Sequence, residues 1–198
     1  MSDINIQTYI RNGKERYLDP YRKKLIYVTP EETVKQEVLL WLRNTLEVPF
    51  NTIVVEQHLS HYGISSKKRA DIVIHEINDA GEIIPLAIIE CKAPNIYLDK
   101  RAENQIIEYC DLIKADYAML TNGNEKICYK YDHENDRYII LEYLPKYNDM
   151  LHNKYIEYDI GELPQRIPFK KIRSFLKKDF QSYEEDFYPN AARRLRLL

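Results

Sequence analysis

Residues 83–92 read IIPLAIIECK. The run is apolar nearly throughout and then ends on two charges, Glu90 and Lys92, with Cys91 between them. A strand that faces water on one side alternates apolar and polar residues. An unbroken apolar run predicts a strand covered on both faces. The same ten residues therefore predict a sheet sandwiched between helices, and they raise the question of why so buried a strand finishes on a glutamate and a lysine.

Working outward, RADIVIHEI (69–77) reads as the preceding strand, with NDAGE (78–82) as the turn between the two. TIVVEQHLS (52–60) reads as another strand before it. Downstream, Asp99 is placed to cap a helix over KRAENQIIEYCDLIKA, with Ala102, Ile106, Tyr109, Cys110 and Ile113 as its buried stripe. DYAMLTNG, KICYKYD and RYIILEYL follow as three more strands, the last two a hairpin around HEND. Upstream of all these, TPEETVKQEVLLWLRNTL predicts a first helix. Thr29 is its N-cap, Pro30 its first residue, Glu32 the reciprocal partner of a capping box, and Val34, Val38, Trp41, Leu42 and Thr45 its buried face. Residues 1–28 are weakly patterned. The order helix, three strands, helix, three strands predicts an α/β sandwich with a mixed central sheet flanked by helices. We assign 1–150 to this domain and 151–198 to a C-terminal extension, with helices at KKIRSFLKKDF and AARRLRLL.

Composition narrows the function classes. The chain has 198 residues and 44% apolar residues, enough for one self-sufficient core. Three cysteines without CxxC or Cys–His spacing argue against a disulfide framework or a zinc site and predict a reducing, cytoplasmic setting. No stretch approaches the roughly 20 apolar residues of a membrane helix, and the N-terminus has no apolar signal core. A formal net charge of −2 excludes the strongly basic field of a nonspecific nucleic-acid binder. Basic patches are local: Lys67-Lys68-Arg69, and residues 165–198, which hold nine Lys/Arg against four Asp/Glu. There is no GxxxxGK[ST] phosphate loop and hence no P-loop motor in this sequence.

Alternate residues of a strand share a face, so Glu90 and Lys92 point the same way with Ile88 behind them, while Cys91 points to the other side. If the strands at 69–77 and 83–92 pair as an antiparallel hairpin, Asp71 joins Glu90 and Lys92 at one sheet edge. Two readings of that trio stand side by side. One is a buried ion cluster whose members satisfy one another. The other is a site for a hard divalent cation, with carboxylate and carbonyl oxygens as ligands.

Asp71 followed by Glu90-Cys91-Lys92 resembles the D…ExK signature of the PD-(D/E)xK nuclease superfamily, and Gln105-Ile-Ile-Glu-Tyr109 resembles the QxxxY motif of one of its branches. RKKLIYVTPEETVKQ, KRADIVI, IIECKAP, the QIIEY helix and YAMLTNG occur in this order in the N-terminal domain of type I restriction enzyme R subunits and their stand-alone relatives. The resemblance spans roughly residues 22–145. It implies a restriction-endonuclease-like core in which Asp71 and Glu90 hold Mg²⁺ (Mn²⁺ substituting), helped by the Cys91 carbonyl. It implies that Lys92 orients the attacking water and that Gln105 reaches the same site while Tyr109 packs. A first-helix acid is a further ligand in many such nucleases. Glu37 is the preferred candidate here, Glu32 having a capping role and Gln36 lying in the same region.

The function this implies is Mg²⁺-dependent endonucleolytic hydrolysis of DNA, in company with restriction or motor subunits. The alternative is a DNA- or partner-binding module with little catalysis. The basic segment 165–198 is expected to contact a phosphate backbone or an acidic partner. Deleting it should flatten the salt dependence of nucleic-acid binding, measured by filter binding across a salt series. Loss of folding on deletion would instead show that Phe169, Ile172, Phe175 and Leu176 pack on the core.

Overall fold

The computed structural model describes residues 6–78 and 80–159. The two helices expected at 170–180 and 191–198 lie outside the described residues, as does the basic segment around them.

Six strands form the central sheet in the order β4-β5-β6-β7-β8-β9. They are β4 (Ile53–His58), β5 (Arg69–Ile77), β6 (Ile83–Cys91), β7 (Tyr117–Thr121), β8 (Lys126–Asp132) and β9 (Arg137–Leu141). All neighbours are antiparallel except β6 and β7, which run parallel. Parallel neighbours need a long crossover, and α2 (Lys100–Ile113) supplies it. The sheet is therefore mixed, and a helix covers each face.

Helix α1 (Pro30–Asn44) lies on one face. Val34, Val38, Leu39 and Leu42 pack there against Ile72, Ile74, Ala87, Ile89, Cys91 and Met119. On the other face Ala102, Ile106, Tyr109, Cys110 and Ile113 of α2 meet Val73, Ile88, Ala118 and Leu120. Leu86 to Cys91 are all buried, because odd and even positions of β6 each have a helix to face. The expected faces of both helices hold, except that Trp41 is only half-buried and Thr45 is the exposed C-cap.

Thr29 caps α1, its side chain accepting from the Glu32 N–H at 3.1 Å. The expected reciprocal half of the capping box does not form. The Glu32 carboxylate turns to Arg22 and Gln36 instead. Asp99 caps α2, accepting from the N–H groups of Arg101 and Ala102 at 3.0 Å each.

The weakly patterned N-terminal stretch is itself ordered. β1 (Thr8–Arg11), β2 (Lys14–Asp19) and β3 (Lys24–Tyr27) form a separate antiparallel sheet. Asn12 and Gly13, at φ +54° and +69°, make the two-residue turn between β1 and β2, a turn that this dipeptide favours. Tyr17 and Asp19 tie this sheet to α1, through the Tyr17 hydroxyl on Thr33 Oγ1 (2.8 Å) and Gln36 Nε2 on Asp19 Oδ2 (2.9 Å). At the other end, a short helix α3 (Tyr147–Leu151) buries Met150 in the α1-side core, and Glu157 bridges to Leu141 of β9. Packing thus continues past residue 150, with Tyr158 N–H reaching the Ile140 carbonyl at 2.9 Å.

Gly123 follows β7 at φ +86°, and a Cβ there would come within 3.2 Å of Val34 Cγ2. Both the backbone conformation and the space favour glycine. Gly123→Ala is expected to destabilise the fold by about 1–3 kcal/mol, read as a lower urea midpoint at unchanged slope.

Candidate active site

The antiparallel register of β5 and β6 sets Ile72 opposite Ile89, so Asp71 and Glu90 are the next residues along at the charged end of the hairpin. The β4–β5 ladder goes from Val55↔Ile72 to Gln57↔Ala70 and steps over Glu56 and Asp71. Glu56 sits there at φ +59°, a left-handed conformation that non-glycine residues seldom adopt. The irregularity lets Asp71 reach sideways. Its Oδ2 accepts the Cys91 backbone N–H at 2.9 Å, and its Oδ1 pairs with Lys35 Nζ of α1 at 2.7 Å.

Glu90 faces the α2 side, as Ile88 behind it does. Its Oε1 accepts from Lys92 Nζ at 2.8 Å and from Gln105 Nε2 at 2.7 Å. Gln105 also stands 3.3 Å from the Tyr109 hydroxyl, so the two QxxxY residues are neighbours one turn apart on α2. The Tyr109 ring packs in the α2-side core. Glu90 Oε2 is buried and has no hydrogen-bond partner. Burial, and next the negative charge of Asp71, push the Glu90 carboxyl up to about 7, against the pull of Lys92 and Gln105. Burial works to lower the Lys92 ammonium, but Glu90 and Asp71 outweigh it and hold Lys92 above its ordinary value. Lys92 is thus a fixed cation. The Cys91 thiol, on the α1 side, is pushed up by burial and by Asp71 and is no nucleophile near neutral pH.

The structure therefore brings together Asp71, Glu90, Cys91 (through its backbone), Lys92 and Gln105. It does not bring Glu37. That residue is exposed, and no hydrogen bond or ion pair among the described residues joins it to Asp71, Glu90 or Lys92. The reason is helical phase. Lys35 faces Asp71, and a residue two positions on lies about 200° further round the helix. Glu32 is buried but engaged by Arg22 and Gln36. The charge of Glu31, one turn before Lys35, acts on both Lys92 and Cys91. The expectation that Glu37 is the first-helix acid of the site is corrected accordingly.

Sequence reasoning also missed Lys35 and Glu56. Lys35 is 3% exposed and bridges Asp71 to the Glu56 carboxylate. Glu56 further pairs with Arg69 and lies 3.6 Å from Arg22 Nη1. The turn at 121–125 positions the loop after β6. The Lys92 N–H donates to the Thr121 carbonyl (2.8 Å), and Asn122 Nδ2 donates to the Ile96 carbonyl (2.9 Å).

The family described as "Type I restriction enzyme R protein N terminus (HSDR_N)" matches residues 30–145, more than half of the chain and all of the site. The chain belongs to this family. Among solved structures, a fragment of a candidate HsdR subunit of a type I restriction enzyme from Vibrio vulnificus YJ016 aligns at 22% identity and TM-score 0.34, covering 44% of this chain and 16% of that one. This chain thus spans a small part of that protein's length. A candidate nuclease of the DUF820 group from Anabaena variabilis ATCC 29413 aligns at 13% identity and TM-score 0.37, covering 76% and 86%. No curated protein matches the chain. No helix among the described residues is long and apolar enough to cross a membrane.

The buried Glu90 makes stability pH-dependent. Below about pH 4.5 its carboxyl is protonated in the folded and unfolded chains alike. Between there and about 7 the unfolded chain ionises first, so this group's contribution falls as pH rises through that window. Glu90→Gln should lose this slope. Its stability relative to wild type should grow between pH 5 and pH 8 by on the order of 2 kcal/mol, measured by urea denaturation at each pH.

Proposed function

We propose that this R-protein N-terminal domain is a metal-dependent endodeoxyribonuclease acting in the cytoplasm alongside other subunits of a restriction system. The observation that carries the reading is Glu90 Oε2, a buried carboxylate oxygen with no partner, set in a cluster with Asp71, Lys92 and Gln105. Family membership supports the same chemistry.

A hard divalent ion fits these residues. Asp71 and Glu90 offer oxygen donors, and the Glu90 oxygen lacks any other partner. Among the described residues no group of three or more His, Cys, Asp or Glu side chains could hold a metal ion. Mg²⁺ needs no more than one or two carboxylates, because it keeps several waters and shares substrate phosphates. Asp71, Glu90 and the Cys91 carbonyl would hold it. When bound, the ion polarises a phosphate oxygen and lowers the pKa of an attacking water.

The chain's own residues do the rest. Gln105 and Lys92 both grip Glu90 Oε1, which fixes the carboxylate plane and leaves Oε2 for an ion. Lys92 keeps its proton, so its part is to orient water and to stabilise charge that develops on the phosphate in the transition state. The Asp71–Cys91 hydrogen bond locks the β5 and β6 ends together, so the two carboxylates keep a fixed separation.

A second reading has its own observation. Each carboxylate already has an ammonium partner, Lys35 on Asp71 and Lys92 on Glu90. A closed ion cluster in a DNA- or partner-binding module would look like this. Nicking of supercoiled plasmid with Mg²⁺ or Mn²⁺ separates the two. Wild type is expected to cut, while Glu90→Ala and Lys92→Ala lose cutting by at least about a hundredfold. Lys92→Ala should keep near-wild-type DNA affinity in filter binding, because one lysine adds little to a contact made of many phosphates. No cutting by wild type with either metal, even with restriction subunits added, leaves the binding module.

A further inference from the structure

Lys35 occupies a position the nuclease reading does not explain. It comes from the buried face of α1 and is 3% exposed. Its ammonium lies 2.7 Å from Asp71 Oδ1, the edge of Asp71 that the Cys91 N–H leaves open. An ammonium and a divalent cation compete for the same lone pairs, and their like charges repel at short range. On the far side of Lys35 stands Glu56, hydrogen-bonded to the same Nζ. Glu56 holds a left-handed backbone at φ +59°, and the ladder skips its pair with Asp71. Strain of this kind persists only where the surroundings enforce it. Here the strained residue presents a carboxylate to three cations, Lys35, Arg22 and Arg69.

We propose that Lys35 is a resident cation that occupies the metal-binding edge of Asp71 until a divalent ion displaces it, and that Glu56 is the carboxylate that receives the displaced ammonium. This rests on the metal-site reading above and makes Lys35 and Glu56 positioning residues that set metal affinity. Before metal arrives, Lys35 holds Asp71 in place beside Glu90. On displacement the ammonium needs no new partner and no path to solvent, because Glu56 already bonds it.

The test is calorimetric titration of the full chain with Mn²⁺, in wild type, Lys35→Met, Lys35→Arg and Glu56→Gln, each checked for folding by circular dichroism. Lys35→Met should bind Mn²⁺ about tenfold more tightly, because the competing charge is gone. Lys35→Arg should stay within about threefold of wild type, since it keeps a cation there. Glu56→Gln should bind several-fold more weakly, because the ammonium has lost its second carboxylate and stays on Asp71. The opposite signs at 35 and 56 are the signature, and a merely structural lysine would weaken metal binding when removed. If Lys35→Met fails to fold, the decision passes to Glu56→Gln, which keeps the Lys35–Asp71 pair. Binding by Lys35→Met that equals or falls below that of wild type overturns the proposal while leaving the metal site intact, and so does tighter binding by Glu56→Gln. Absence of Mn²⁺ binding in wild type and in every folded variant overturns the metal reading itself, and this proposal with it.

Discussion

Ile72 faces Ile89 across the β5–β6 ladder, and both side chains are fully buried beneath α1. Side chains alternate along a strand, so a slip of one residue in this pairing would turn each apolar set to the wrong helix. Burial on both faces therefore fixes the register firmly. The charged end follows from it, because Asp71 and Glu90 are simply the next residues. The cores under α1 and α2 thus do more than hold the sheet. They set the spacing of two carboxylates that would otherwise repel.

Charge so deep in a sheet is costly unless it is matched. The matching here is extended. Asp19, Glu32, Glu56 and Asp71 are interleaved with Arg22, Lys35, Gln36 and Arg69, from the N-terminal sheet across α1 to the hairpin. Asp19 is fully buried and accepts from the backbone N–H groups of Tyr21 and Arg22, from the Arg22 guanidinium and from Gln36 Nε2. The small sheet β1–β3 has few apolar residues of its own to bury, and this polar network together with Tyr17 is what fastens it to α1. Glu90 is outside that network and keeps an unmatched oxygen.

The hairpin and both helices were legible because their signals are periodic. The apolar run at 83–92, the stripe on α2 and the caps at Thr29 and Asp99 each follow from local chemistry. Glu90 and Lys92 on one face were legible from strand alternation, and Asp71 beside them from the hairpin pairing, while Gln105 was legible only through the resemblance of QIIEY to the QxxxY motif. The N-terminal sheet was not, since its strands are short, charged and largely exposed, although Asn12-Gly13 was a turn signal that could have been read. Lys35 and Gln36 were not legible either. A helical period finds the inward face from its apolar residues and treats polar ones as outward. Here the inward face includes a lysine and a glutamine whose partners, Asp71 and Asp19, lie far away in sequence. The same blindness singles out Glu37, which the phase set by Lys35 turns away from the hairpin end.

The parallel contact of β6 with β7 carries a consequence for how the domain comes into being. The β5–β6 hairpin closes over a tight turn at 78–82, so Asp71 and Glu90 can meet early and locally. Lys92 and Gln105 are held only once the chain from 92 to 116 has folded back, α2 has docked and β7 has zipped alongside β6. Closing that longer loop is the slower, entropically dearer event. Until then the hairpin end holds the carboxylate pair without the Gln105 amide that steadies Glu90.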